Sequence, residues 1–279
     1  MKKLLACFLA IIAFVGCSKE SALDIVVGGD ETYHVTVGID EQTRAEISTI
    51  AALLGNAYEL RYVLEIYENN ARLGGQQIQY SADSSVVFAV KLPPLRDYRF
   101  VAWADVVAKR THESYYNTSN LSEVSEVAWA NSDLRDAFAD FEDVANFSSS
   151  SVVNLKLMRP FAKLRIVDNN GVTRSDVKTI SVSYSPVGDV SYSKYNAMRD
   201  EFSDAVATPI TRTYDVSAID ATGADGVTLF TDFIFVPEST QFNVEVRLYG
   251  AGDALLDTKN FGSVAVNRNT LTTIKGDII

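Results

Sequence analysis

The chain is poor in the residues that carry most metal, redox and nucleophilic chemistry. Its 279 residues include only two cysteines and two histidines. Two histidines leave little material for a histidine-rich metal site, and we expect no metal and no cofactor. Basic residues are also outnumbered, 25 against 36 acidic ones, which gives a net charge of −11. Because nucleic-acid binders present basic surfaces, this charge argues against nucleic acid as a partner.

Apolar and aromatic residues, by contrast, are plentiful. Apolar residues make up 47% of the chain, so a packed core is feasible. The 13 tyrosines and 14 phenylalanines favour strands over a helical bundle. Apolar and polar residues alternate in several segments, most clearly over 58–68. Strand follows strand with turns between them, which predicts an all-β chain built as antiparallel β-sandwiches.

The N-terminus has the layout of an export signal. Lys2 and Lys3 precede an apolar stretch over 4–16, which is shorter than the roughly 20 residues that span a bilayer. We therefore predict a signal peptide at 1–16. Gly16-Cys17 at its end resembles the lipobox of bacterial lipoproteins, so Cys17 is the predicted lipidation site and 17–31 a lipidated tether. The alternative is an ordinary signal peptide with a coincidental cysteine.

The rest of the chain divides near Arg159-Pro160, where proline interrupts two strand patterns. This division predicts an N-terminal β-sandwich domain at 32–158 and a C-terminal one at 159–279. Both lie near the usual domain size of about 100–150 residues.

Four segments then resemble one family. They are YELRYVLEIY at 58–67, DYRFVAWAD at 97–105, LMRPFAKLR at 157–165 and NRNTLTTIKG at 267–276. Their order and spacing resemble the fimbrillin-like surface lipoproteins of Bacteroidota, in particular a branch that carries a domain of unknown function. The resemblance covers nearly the whole mature chain, although none of the four segments is a catalytic motif.

The resemblance implies a fold and an assembly mechanism. The family fold is two tandem transthyretin-like antiparallel β-sandwich domains, and its members build thin surface fimbriae as stalk, tip or anchor subunits. In polymerising members an arginine-specific protease cuts after the first strand. A neighbouring subunit then fills the opened groove with its C-terminal strand, which is donor-strand addition. Arg44, which follows the predicted strand 33–39, resembles the cleavage site; the alternative is an arginine in an exposed loop.

The segment after the last predicted strand bears on the role within a fimbrium. Only 275–279 follow Ile274, whereas a donated strand needs about 5–6 residues and a linker. We therefore expect a tip, accessory or anchor subunit, which functions in adhesion and fimbrium assembly. The expected location is the cell outer membrane, with a lipid anchor and surface exposure, and the expected partners are other fimbrial subunits.

A glycan-binding surface lipoprotein is the second hypothesis. The stretch 105–150 is polar, lacks a long strand pattern, and contains aromatic residues that are able to stack on host or bacterial surface glycans. The candidate ligand contacts are Tyr115, Tyr116 and Trp129.

A hydrolase is the third hypothesis, and we expect no enzyme. The same stretch contains the acidic residues Asp136, Asp140, Glu142 and Asp143. Glycoside hydrolysis needs two carboxylates about 5–9.5 Å apart in a cleft, and a solvated acidic face explains this cluster more simply.

Overall fold

The computed structural model describes residues 25–26, 31–41, 43, 57–169, 174–188, 190–218 and 226–279. Within them the chain is all-β, as predicted: helical backbone is confined to Glu41, Thr43 and three short 3₁₀ turns. The predicted signal peptide, Cys17 and Arg44 lie outside the described residues.

Twenty strands are described, and many of them coincide with runs of alternating apolar residues. In chain order they are β1 (Ile25–Val26), β2 (Thr32–Ile39), β3 (Tyr58–Glu68), β4 (Ala71–Arg72), β5 (Gln77–Ser81), β6 (Ser85–Lys91), β7 (Tyr98–Ala108), β8 (Tyr116–Asn117), β9 (Val124–Glu126), β10 (Ala137–Val144), β11 (Val153–Leu157), β12 (Phe161–Asp168), β13 (Thr179–Pro186), β14 (Ser191–Asn196), β15 (Glu201–Val206), β16 (Ile210–Asp215), β17 (Val227–Phe235), β18 (Ser239–Tyr249), β19 (Leu255–Asn267) and β20 (Leu271–Gly276). The 3₁₀ turns are Asp133–Arg135, Val216–Ala218 and Ala251–Asp253.

The strands form four sheets. Sheet A has the order β1-β6-β2-β11, and sheet B has the order β10-β7-β3-β4, with β5 also pairing with β3. Sheet C has the order β20-β12-β17-β14-β9-β8, with β15 also pairing with β14, and sheet D has the order β16-β13-β18-β19. Most pairs are antiparallel; the described parallel pairs are β1 with β6, β2 with β11 and β12 with β20.

The four sheets enclose three hydrophobic cores. The first core lies between sheets A and B and includes Tyr62 and Phe100. The second lies between sheets C and D and includes Tyr184 and Phe230. A third core joins sheet B to sheet C and includes Trp103. Sheet B is therefore buried on both faces, which explains why most residues of β3 and nearly all of β7 are buried.

The predicted boundary at 158/159 falls between β11 and β12, where the chain leaves sheet A and enters sheet C. The hairpin β8–β9 precedes this boundary in sequence but pairs with β14 in sheet C. The stretch 105–150 is therefore part of the connection between the two halves. The division at 158/159 and the transthyretin-like arrangement stay predictions.

Buried ion pairs reinforce the contact between the halves. Arg135, which is wholly buried, pairs with Glu126 and with Asp232 of β17. Arg159 holds Asp136 through two hydrogen bonds of 2.7 Å, from Nε and Nη2 to the two carboxylate oxygens. Charges removed from water in this way require their partners, because an unpaired buried charge is strongly destabilising.

Candidate functional site

The strand β2 occupies the interior of sheet A. It is antiparallel to β6 on one side and parallel to β11 on the other, so that Val35 pairs with Phe88 and with Val153. One face of β2 is buried in the core between sheets A and B, through Tyr33, Val35, Val37 and Ile39. His34 lies on the opposite, exposed face.

The buried face of β2 makes a large contribution to stability. At about 1.5–3 kcal/mol for each fully buried apolar side chain, four such side chains contribute roughly 6–12 kcal/mol. This figure is an upper bound, because an unfolded chain already buries part of its apolar surface. It is nevertheless comparable with the net stability of a whole domain, about 5–15 kcal/mol. Loss of β2 would thus open an apolar slot lined by the unpaired backbone groups of β6 and β11.

The chain that leaves β2 is anchored near the junction of the two halves. The backbone N–H of Asp40 donates to the carbonyl of Leu157 at 3.0 Å. Thr43 is buried, and its Oγ1 hydrogen-bonds Oδ1 of Asn269 at 3.3 Å, in the turn between β19 and β20. Arg44 is the next residue but lies outside the described residues, so cleavage there stays a prediction.

The last strand, β20, fills the edge of its own sheet. It runs parallel to β12, with Ile274 opposite Ile166. Ile278 is buried in the core between sheets C and D, and its N–H donates to Oδ1 of Asp168 at 2.6 Å. The strand that the family mechanism would donate is thus engaged in this chain's own fold.

The three candidate ligand contacts occupy different environments. Tyr116 is 5% exposed and its hydroxyl donates to the carbonyl of Arg135 at 2.7 Å, so the expectation of an exposed ring is wrong for this residue. The ring packs against other aromatic residues in the core between sheets B and C. Trp129 is half-buried and packs on Tyr214 and Phe230, with ring centroids 6.0 and 6.2 Å away. Neither ring offers an open stacking face.

Tyr115 is the member of this set that faces a cavity. The cavity has a volume of about 340 Å³ and is lined by Tyr58, Glu113, Ser114 and Tyr115, with aliphatic side chains behind them. Burial raises the pKa of Tyr115, and the nearby Tyr58 hydroxyl raises it further. This phenol therefore stays protonated near neutral pH and is able to donate a hydrogen bond.

The acidic residues at 136–143 do not form one cluster in the structure. Asp136 is wholly buried against Arg159, so its interpretation as part of a solvated face is wrong. Asp143 pairs with Arg99, whose Nε lies 2.6 Å from its Oδ1. Asp140 and Glu142 accept hydrogen bonds from the backbone of β11. Each carboxylate thus has a structural partner.

Sequence reasoning missed Gln77 and Gln79 of β5. Their side-chain amides donate to backbone carbonyls of β6. The signal available was a polar residue at every second position of a short strand, and this pattern is common on exposed faces.

The described residues contain neither a metal-binding cluster nor a membrane-spanning helix. No group of three or more histidine, cysteine, aspartate or glutamate side chains there is placed to hold a metal ion. Among the helices of this part of the chain, none has the length and apolar character needed to cross a bilayer.

Several solved structures are similar to this chain. One, from Bacteroides thetaiotaomicron, is described as a candidate polysaccharide-binding protein; it has 11% identity and a TM-score of 0.48, and the match covers 81% of this chain and 80% of that one. A candidate cell adhesion protein from Bacteroides ovatus has 11% identity and a TM-score of 0.48, with coverages of 88% and 92%. The fimbrial anchor protein Mfa2 from Porphyromonas gingivalis has 10% identity and a TM-score of 0.43, with both coverages at 83%.

Comparison with curated proteins finds no match. Comparison with family models does find one, and it extends over residues 27–279, which includes all four sheets apart from β1. The chain therefore belongs to a family of unknown function, DUF6562.

Proposed function

We propose that this protein is a cell-surface lipoprotein that serves as a tip, accessory or anchor subunit in adhesion and fimbrium assembly. The observation that carries the proposal is the position of β2 inside sheet A, with its apolar face buried and its neighbours β6 and β11 on both sides. The four sequence segments that resemble fimbrillin-like proteins support it. The similar structures, which include a fimbrial anchor protein, agree with it.

The proposed assembly step is the replacement of β2. Hydrolysis of the peptide bond after Arg44 would separate β2 from β3, and β2 would then be held by non-covalent contacts alone. An incoming strand from a neighbouring subunit would take over the hydrogen bonds to β6 and β11 and bury its own apolar side chains in the slot. Because β20 pairs with β12 in the same chain, this subunit accepts a strand and does not donate one.

The proposed location follows from Cys17. Acyl chains on this residue would hold the protein on the outer membrane, because each buried CH₂ contributes about 0.8 kcal/mol. In the uncut protein, the proposed tether at 17–31 would separate the folded sheets from the lipid surface. Cys17 and β2 lie on the same side of Arg44, so cleavage there and exchange of β2 would detach the folded sheets from the acylated residue. The neighbouring subunit would then hold them. No catalytic role is proposed.

Protease shaving of intact cells tests display, lipidation and processing together. We expect the uncut wild-type protein to be membrane-bound and removed by shaving, and we expect a second form that is shortened at Arg44. Cys17→Ala should release the protein from the membrane fraction, and Arg44→Ala should abolish the shortened form. Arg110→Ala, at an exposed loop arginine, is the matched control and should be processed normally. An unshaved, full-length wild-type protein would refute the proposal.

Glycan binding is a second candidate function, favoured by the cavity at Tyr115. Its volume lies within the usual range for small-ligand sites, about 300–1,000 Å³, and its lining combines tyrosine rings with a carboxylate and a hydroxyl. A glycan array with the purified protein tests this function. Binding should be lost in Tyr115→Ala and retained in Tyr80→Ala, which removes an exposed tyrosine outside the cavity. An array without any signal for the wild type would refute it.

A further inference from the structure

The outer edge of β6 is covered by side chains of β5. Nε2 of Gln77 donates to the carbonyl of Ala89 at 3.3 Å, and Nε2 of Gln79 donates to the carbonyl of Val87 at 3.0 Å. Strand β5 itself pairs through its backbone with β3 in sheet B. The chain thus turns from one sheet into the other, and the two strands face each other through side-chain amides.

The outer edge of β11 is covered in the same way by side chains of β10. Oδ2 of Asp140 accepts from the N–H of Lys156 at 2.8 Å, and Oε2 of Glu142 accepts from the N–H of Asn154 at 3.1 Å. Strand β10 pairs through its backbone with β7 in sheet B. Hydrogen bonds from backbone N–H groups to carboxylates are stronger than those between neutral groups.

The covered backbone groups are among those to which another strand would hydrogen-bond if it paired with an edge of sheet A. Backbone groups of every second residue point to the same side of a strand, so those of Val87 and Ala89 face away from β2, as do those of Asn154 and Lys156. The remaining end of β6 is paired with β1 at Val90 and Lys91. An uncovered sheet edge is a ready template for pairing with another chain.

Exposed apolar side chains would make pairing with another chain more favourable along both edges. Val87 of β6 is 51% exposed, and Val152, directly before β11, is 71% exposed. An edge that combined free backbone groups with such side chains would attract strands of other copies, which is the usual route to aggregation. Within the described residues, side chains nevertheless engage two outward carbonyls of β6 and two outward N–H groups of β11.

We infer that Gln77, Gln79, Asp140 and Glu142 close sheet A against side-on pairing, so that a partner strand adds at the position of β2. The partner that fits is an extended segment with apolar residues at alternate positions. It runs antiparallel to β6 and parallel to β11, as β2 does. The position of addition rests on the proposed function, whereas the closure of the edges stands without it.

Variants that remove the covering groups test the inference in the uncut, full-length protein. Gln77→Met with Gln79→Met opens the β6 edge while keeping side-chain length, and Asp140→Ala with Glu142→Ala opens the β11 edge. We expect the molar mass from light scattering to rise with concentration to two or more chains per particle. Asp140→Asn with Glu142→Gln retains an acceptor oxygen at each position and should keep the wild-type mass. Gln241→Met, on the inner strand β18, is the matched control.

A labelled peptide with the sequence of residues 32–40 provides a second measurement. It should bind the edge-opened variants without cleavage and should not bind the uncut wild type. Edge-opened variants that melt like the wild type, keep its molar mass and bind no peptide would overturn the inference. If a double variant does not fold, Gln79→Met alone, at a half-buried position, makes the same test. Failure of the cut wild-type protein to bind the peptide would instead refute strand acceptance.

Discussion

Replacement of Arg159 by methionine should destabilise the protein far more than the loss of an ordinary surface ion pair. Arg159 lies between β11 and β12, within the segment LMRPFAKLR, and its side chain is 1% exposed. Its two hydrogen bonds to Asp136 are 2.7 Å long, and the carboxylate is wholly buried. Methionine preserves much of the length but leaves Asp136 without its guanidinium.

The expected loss follows from the burial of both partners. Removing one partner of a buried pair costs about 3–5 kcal/mol, because the other charge is left uncompensated. Nζ of Lys163 lies 4.0 Å from Asp136 and offers partial compensation, which favours the lower end of this range. For a chain of this size each kcal/mol lowers Tm by about 2–4 °C, so the fall should be roughly 6–20 °C.

Urea unfolding followed by circular dichroism measures this loss, with the same m value required in all variants. Arg96→Met is the control, because its pair with Glu68 is half-exposed and should contribute only about 0–1 kcal/mol. The double variant Asp136→Leu with Arg159→Met should recover most of the stability, since a buried ion pair replaced by apolar residues is often neutral. An Arg159→Met loss as small as that of Arg96→Met, or a double variant as unstable as the sum of both singles, would refute the reasoning.

Three further changes have defined outcomes. Gly226→Ala should prevent stable folding of the C-terminal half, which loss of the soluble protein would report, because a Cβ there would lie 2.5 Å from a carbonyl oxygen of β12 and the residue has φ of +107°. Ile278→Ala should lower the urea midpoint with a loss of about 2–5 kcal/mol, whereas a β20 that lies free would give no change. Burial raises the pKa of Asp232, but Arg135 and Arg212 outweigh it, so its folded pKa lies below the ordinary value. Its contribution to stability is therefore present above about pH 3.9 and is lost as pH falls through the folded pKa, so Asp232→Asn should flatten the acid side of the stability profile.

Strands with one buried face were accessible from sequence alone. Alternation predicted β2, and it gave the bounds of β3 correctly as Tyr58–Glu68. Trp103, which lies in the segment DYRFVAWAD, is fully buried in the structure. The periodicity of two is a direct consequence of strand geometry, so it can be recognised in a sequence without knowing which strands lie beside it.

The contact between the halves was not accessible in this way. Glu65 of β3, for example, is wholly buried and accepts hydrogen bonds from Arg72 of β4 and from Gln76, which directly precedes β5. The polar stretch 105–150 likewise gave no indication of β10 or of the ion pairs of Arg135. A sequence does not show whether a charged residue is buried or solvated. That depends on whether the fold brings an oppositely charged partner beside it.

The arrangement of the three cores bears on how a strand is exchanged. Strand β2 contributes to the core between sheets A and B, and its apolar residues do not belong to the other two cores. The buried pair of Arg135 with Asp232 instead involves β17 of sheet C, and the pair of Arg159 with Asp136 joins residues that lie just before β12 and β10. The contact of Thr43 with Asn269 is one described link between the end of β2 and the C-terminal half. We therefore expect loss of β2 from the cut protein, before another strand takes its place, to loosen sheet A while sheets C and D stay folded. Hydrogen exchange would detect this state as protection lost in β6 and β11 but retained in β12 and β17.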